Sequence, residues 1–221
     1  LAGALAANGQ SRRAESTYES VVYRWPEYWV GSYHLGRFYM RRGRYEAAAT
    51  AFREAVDAAP QNDRLYNNLA ASFVYLGDFG DARELFTKLI DQHPNYGAYS
   101  NLGTINLLDG RYADAVRRYE QALELKGSDY RLWGNLASAH YWAGAREKAR
   151  TYYQRAIEMA EKQQVAPAQR PVVWAHLGGF YAMLGHRDRA LALTQKAVSQ
   201  APNRPKVAYR AALTYEHLGQ R

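Results

Sequence analysis

The chain has 221 residues, 48% of them apolar and 14% aromatic, with 29 Lys and Arg against 21 Asp and Glu for a net charge of +8, and it contains no cysteine. The missing cysteine excludes a disulfide framework and a thiol nucleophile, and no apolar run approaches the roughly 18 residues of a membrane-spanning helix. Nothing at the N-terminus reads as a signal peptide, so the segment is expected to be soluble, with a cytoplasmic setting favoured.

Seven glycines, Gly9, Gly43, Gly77, Gly110, Gly144, Gly185 and Gly219, set a period of about 34 residues, and the rest of the chain is phased to them. Residues 1–28 read as most of one unit, with Gly9 followed by Ala14, Tyr18, Val21 and Pro26. Unit 29–62 runs YHLGRFY, Gly43, Ala48, Phe52, Ala55, Pro60, and unit 63–95 runs YNNLAASF, Gly77, Ala82, Phe86, Leu89, Pro94. Unit 96–129 has YSNLGTIN, Gly110, Ala115, Tyr119, Ala122 and Gly127. Unit 130–170 has WGNLASAH, Gly144, Ala149, Tyr153, Ala156 and then Glu161, with extra residues at 161–170. Unit 171–204 has WAHLGGFY, Gly185, Ala190, Thr194 where the others carry an aromatic, Ala197 and Pro202. Residues 205–221, with YRAALTYE and Gly219, read as the first helix of a further unit. Spacings of three and four put the apolar residues of each stretch on one helix face. Each unit is therefore predicted to be two helices, a glycine closing the first and a proline or glycine ending the second.

This pattern resembles the tetratricopeptide repeat, whose signature of an aromatic, Leu-Gly, aromatic, Ala, aromatic, Ala and Pro is matched over essentially the whole chain. The resemblance implies an all-α fold, a right-handed superhelical solenoid of antiparallel helix pairs forming one array over 1–221. Small residues at Gly36, Ala70, Gly103, Ala137 and Gly178 are expected where the two helices of a unit touch. The 161–170 stretch is expected to lengthen a second helix that ends before Pro167 and to add a short loop, tolerated as a loop or used as an edge contact for a partner. Because neither end shows a polar capping helix, the sequence is read as a piece of a longer polypeptide whose exposed ends could self-associate.

No motif supports catalysis, and an enzyme, a cofactor or a metal is not expected. The histidines lie in different units without metal-ligand spacing, and no phosphate-binding loop occurs. The net charge raises nucleic acid as a minor alternative, but the cations are spread over every unit and the recurring residues of a base-reading repeat code are missing.

The resemblance points instead to a protein-interaction scaffold. In that family the first helix of each unit lines a concave surface, with the second, fifth, sixth, ninth, twelfth and thirteenth positions facing inward. Here those positions hold Arg37, Arg41, Arg64 and Arg131, the aromatics Tyr33, Tyr75, Tyr141 and Trp142, and the apolar Met40, Leu107, Leu108 and Met183, with no acidic residue in the five full units. A protein or peptide partner that is acidic with apolar anchors fits such a surface. At the sixth position stand Asn68, Asn101 and Asn135, flanked by His34 and His176. They resemble the asparagine ladder with which the O-GlcNAc transferase group of this family holds an extended peptide, each carboxamide donating to a carbonyl and accepting from an N–H. The clamp by which other members hold chaperone C-termini is matched only at Asn68. The alternative is a structural or regulatory arm: the stretches AYSNLGT and DYRLWGNLASAHYWAG resemble repeat regions that follow a serine/threonine kinase, adenylate cyclase or winged-helix domain in bacterial signalling proteins.

Overall fold

In the computed structural model, which describes residues 1–220, all regular structure is helical. Two compact units are distinguished, Leu1–Pro94 and the chain from Asn95 onward. The first holds α1 (Ala2–Ala7), α2 (Ser11–Arg24), α3 (Trp29–Met40), α4 (Tyr45–Ala58), α5 (Asp63–Leu76) and α6 (Phe79–Gln92). The second holds α7 (Tyr96–Leu108), α8 (Tyr112–Leu125), α9 (Tyr130–Trp142), α10 (Arg146–Lys162), α11 (Arg170–Met183), α12 (Arg187–Gln200) and α13 (Pro205–His217), with a 3-10 turn at Pro167–Gln169. Within each unit, helices adjacent in sequence pack on one another, and in the second α11 also packs on α13. No helix among the described residues is long and apolar enough to cross a membrane.

The residues that set the period set the turns. All seven phased glycines have positive φ, between 67° and 83°. After each, the next amide returns to the carbonyl five residues back, as Asp78 does to Phe73 at 2.8 Å and Ala145 to His140 at 2.9 Å. This closes a first helix with a left-handed residue that glycine adopts without a Cβ penalty. Second helices stop differently: Trp25, Ala59, His93 and Ala201, each before a proline, leave the helical region at φ between −137° and −148°, because the proline ring disfavours the α conformation of its predecessor. The first helices α5, α7 and α9 are N-capped by the side chains of Asn62, Asn95 and Asp129.

The core sits between the helices of each pair. Ala14, Ala48, Ala82, Ala115, Ala149 and Ala190 are at most 2% exposed, as close helix approach requires. A Cβ on Gly36 would lie 2.7 Å from the Phe52 ring, and one on Gly103 would lie 2.9 Å from Tyr119. Where Thr194 replaces the aromatic, a Cβ on Gly178 would collide with the Thr194 hydroxyl itself, so the smaller residue lets the helices approach more closely. The buried Tyr119 and Tyr153 hydroxyls meet Thr104 at 3.0 Å and Ser138 at 2.9 Å, which offsets the cost of burying them.

The 161–170 insertion makes α10 three residues longer than the 14-residue second helices before it. It is held down from within the unit. Glu161 accepts from the Tyr181 hydroxyl at 2.8 Å and from Arg189 at 3.0 Å, and Arg204 donates to the Ala168 carbonyl at 2.6 Å and to Gln169 at 3.0 Å.

Candidate peptide-binding site

In the first unit, His34, Arg37 and Arg41 line a cavity of about 750 Å³ between α1, α2 and α3. Burial, then the Arg37 and Arg41 charges, lower the His34 pKa from its ordinary value. Tyr33 is only half open: it packs on Trp29 and Phe52 and lies under the Arg37 guanidinium at 5.6 Å. Arg64 lies apart from that group, in a shallow hollow with Trp29 and Pro60. Tyr75 is exposed and stacks on Tyr45 at 4.8 Å. The Asn68 amide donates to the Arg64 carbonyl of its own helix at 2.8 Å, so part of its hydrogen-bonding capacity is used locally.

The second unit gathers more of the inward positions. A cavity of about 710 Å³ is lined by Gly97, Ser100, Asn101, Arg131, Asn135 and His176 from α7, α9 and α11, together with Lys206, Tyr209 and Arg210 of α13. Gln163, Val165 and Gln169 of the insertion form part of its wall, a role that repeat phasing gave no reason to expect. A second cavity of about 430 Å³ is lined by Asn135, Tyr141, Trp142, Phe180, Met183 and Leu213 among others. Asn135 and Arg210 border both. Trp142 is exposed and stacks on Tyr112, while Tyr141 lies under Arg146, whose guanidinium is 3.6 Å from the ring.

Two of the expected contact residues are engaged within the chain. Arg131 is not a free groove cation: it makes paired bonds of 2.9 and 2.6 Å to Asp129. Burial pushes the Asp129 carboxyl up, but the guanidinium and the Arg131 N–H outweigh it and hold the pKa below its usual range. Repeat phasing missed this pairing because Asp129 is the cap residue preceding the unit. His176 is 7% exposed rather than open, packed edge-on against Tyr130 at 5.3 Å and beside Phe180. Burial first, then Arg210 and Arg131, lowers its pKa to about 3, so it is a neutral floor residue. Its Nδ1 has no hydrogen-bond partner among the described residues.

Arg210 is the residue the sequence reading passed over. It occupies the sixth position of α13, in phase with His34, Asn68, Asn101, Asn135 and His176. Extending the count one helix past the last full unit would have found it. Burial draws its guanidinium below the ordinary value, and among the described residues that guanidinium makes no hydrogen bond or ion pair.

Tetratricopeptide repeat models match residues 1–63, 64–128 and 106–170. The chain belongs to the tetratricopeptide repeat family. It is similar to a DnaJ homolog subfamily C member 7 homolog of Dictyostelium discoideum (34% identity over 109 residues, 47% of this chain and 20% of that protein). It is also similar to the Hsp70-Hsp90 organizing protein of Triticum aestivum (36% over 104 residues, 47% and 18%). The chain thus spans about a fifth of the length of these relatives. Among solved structures, a thermophilic tetratricopeptide repeat protein of Thermus thermophilus aligns with a TM-score of 0.63 at 24% identity, over 85% of this chain and 99% of that one. One from Parabacteroides merdae gives 0.64 at 17%, over 97% and 88%. These likenesses carry the fold, and family membership makes the chain a protein-interaction scaffold.

Proposed function

We propose that the second unit holds an extended protein segment, acidic with apolar anchors, along the inward faces of α7, α9, α11 and α13. The observation that carries this reading is convergence. Asn101, Asn135 and the Arg131–Asp129 pair share one concavity with Lys206 and the unpartnered Arg210, and an aromatic and apolar hollow with Tyr141 and Trp142 adjoins it. A carboxamide such as that of Asn135 carries both a donor and an acceptor for a peptide unit in one plane, and the surplus of cations favours an acidic chain. In the first unit, His34, Arg37 and Arg41 with Tyr33, and separately Arg64, Asn68 and Tyr75, are the residues proposed to contact a partner. The role is binding rather than catalysis, with no cofactor required. The Hsp70-Hsp90 organizing protein, by its name, serves a comparable organising role among proteins.

The test uses a peptide selected from a random library on the wild-type chain. At roughly 1 kcal/mol per net hydrogen bond, Asn101→Ala combined with Asn135→Ala weakens that peptide about 30-fold in a fluorescence anisotropy titration. Adding Asn68→Ala contributes less to a peptide held by the second unit alone, since the Asn68 amide is already bonded within α5. An unchanged affinity for the double variant, with helicity preserved, would remove the asparagines from the site.

A further inference from the structure

We infer that Arg210 is the receptor for a side-chain carboxylate within the bound segment, and that the adjoining hollow takes a large apolar side chain two residues from that acid. The inference rests on the reading of the second unit as a peptide-binding surface and specifies its selectivity.

Three observations converge on it. First, Arg210 lines the cavity half-buried and with no acid bonded to it among the described residues, whereas Arg131, its neighbour across the cavity, already makes two bonds to Asp129. A half-buried guanidinium with its donors uncommitted gains a strong, paired hydrogen-bonding partner when a carboxylate arrives. Second, the cavity on one side of Arg210 carries Lys206 and Lys126 in addition, and its one acid, Asp129, is already committed. An anionic group is therefore matched in charge and a cationic one rejected. Third, the cavity on the other side is walled chiefly by Tyr141, Trp142, Phe180, Met183 and Leu213, with Glu216 also on its lining. Arg210 borders both, so the two subsites are contiguous. In an extended peptide, side chains two residues apart project to the same side, which fits an acid at one position and a Phe, Leu or Met at the second position along.

This arrangement differs from capture of a chain terminus. The cation sits on the sixth position of the last helix, between two cavities that continue on either side of it, so a chain can pass through.

The experiment selects random dodecapeptides fused through their C-termini, which removes any free terminal carboxylate, on the immobilised chain. The expected enrichment is Asp or Glu two residues from a large apolar residue. Arg210→Met, which keeps the bulk of the side chain and removes its charge, weakens the enriched peptides at least tenfold. Arg210→Lys keeps part of the binding. Amidating the peptide acid to Asn or Gln costs the same factor on the wild type and nothing further on Arg210→Met. Thermal melting completes the set: Arg210→Met melts at or above the wild-type temperature, because no acid is orphaned by the change. Peptides that bind without an acid and ignore Arg210→Met would overturn this inference while leaving the peptide-binding surface in place. If no peptide is retained at all, both readings fall.

Discussion

Phe180→Ala lowers the stability of the second unit by about 3–5 kcal/mol, read as a fall in the urea midpoint at an unchanged slope. The ring is 5% exposed and sits among Tyr130, Tyr153 and His176, with centroids 5.9–6.4 Å away. It also lies against Gly134, where an added Cβ would fall inside the ring's van der Waals envelope. Truncation therefore leaves a void bordered by a residue with no side chain to move into it, which puts the cost at the upper end for an aromatic. Gly134→Ala alone also destabilises, through overlap with the ring. In the Phe180→Ala background the same change restores part of the loss, since the new methyl then fills space. A double-mutant cycle that shows simple additivity would contradict this packing.

The second unit also loses stability as pH falls from 6.5, more steeply than its carboxylates alone require. His176 has a folded-state pKa of about 3 against an ordinary 6.5, chiefly from burial and then from Arg210 and Arg131. The neutral form is favoured in the folded chain, so the contribution is fully present above pH 6.5. Below that value the unfolded chain takes up a proton that the folded one refuses, until the folded pKa is reached. The slope is about 1.4 kcal/mol per pH unit, or about 1.5–2 kcal/mol between pH 6.5 and 5. His176→Asn, with the residue that three other units carry at this position, removes this part of the dependence. Denaturation curves of the two proteins at both pH values check it: equal losses would show that the imidazole is not held neutral.

The architecture was legible from the sequence because it depends on residues that tolerate few substitutes. A left-handed turn favours glycine, so seven phased glycines marked seven helix ends, and close helix approach needs Ala or Gly, so the small residues marked the contacts. The site was legible only as a set of positions. Phasing put Asn101, Asn135, Tyr141 and Trp142 at inward repeat positions, and they line the cavities of the second unit, but side-chain pairing is decided by neighbours outside the phasing. Asp129, before the unit begins, takes up Arg131, and Phe180 of one helix fills the space left by Gly134 of another. The Arg64 carbonyl takes the Asn68 amide. His176 obeys the register yet lies under Tyr130 and beside Phe180, a matter of which ring reaches over which, and spacing does not encode that.

The most direct measurement is the affinity of a library-selected peptide for Asn135→Trp, compared with wild type and with Arg150→Glu on the exposed face of second helix α10. Asn135 borders both cavities, so an indole there obstructs the surface. Asn135→Trp loses at least 30-fold in affinity, with unchanged helicity, and Arg150→Glu changes it within twofold. Wild-type affinity in Asn135→Trp, or a loss confined to Arg150→Glu, would place binding elsewhere and contradict the proposed site.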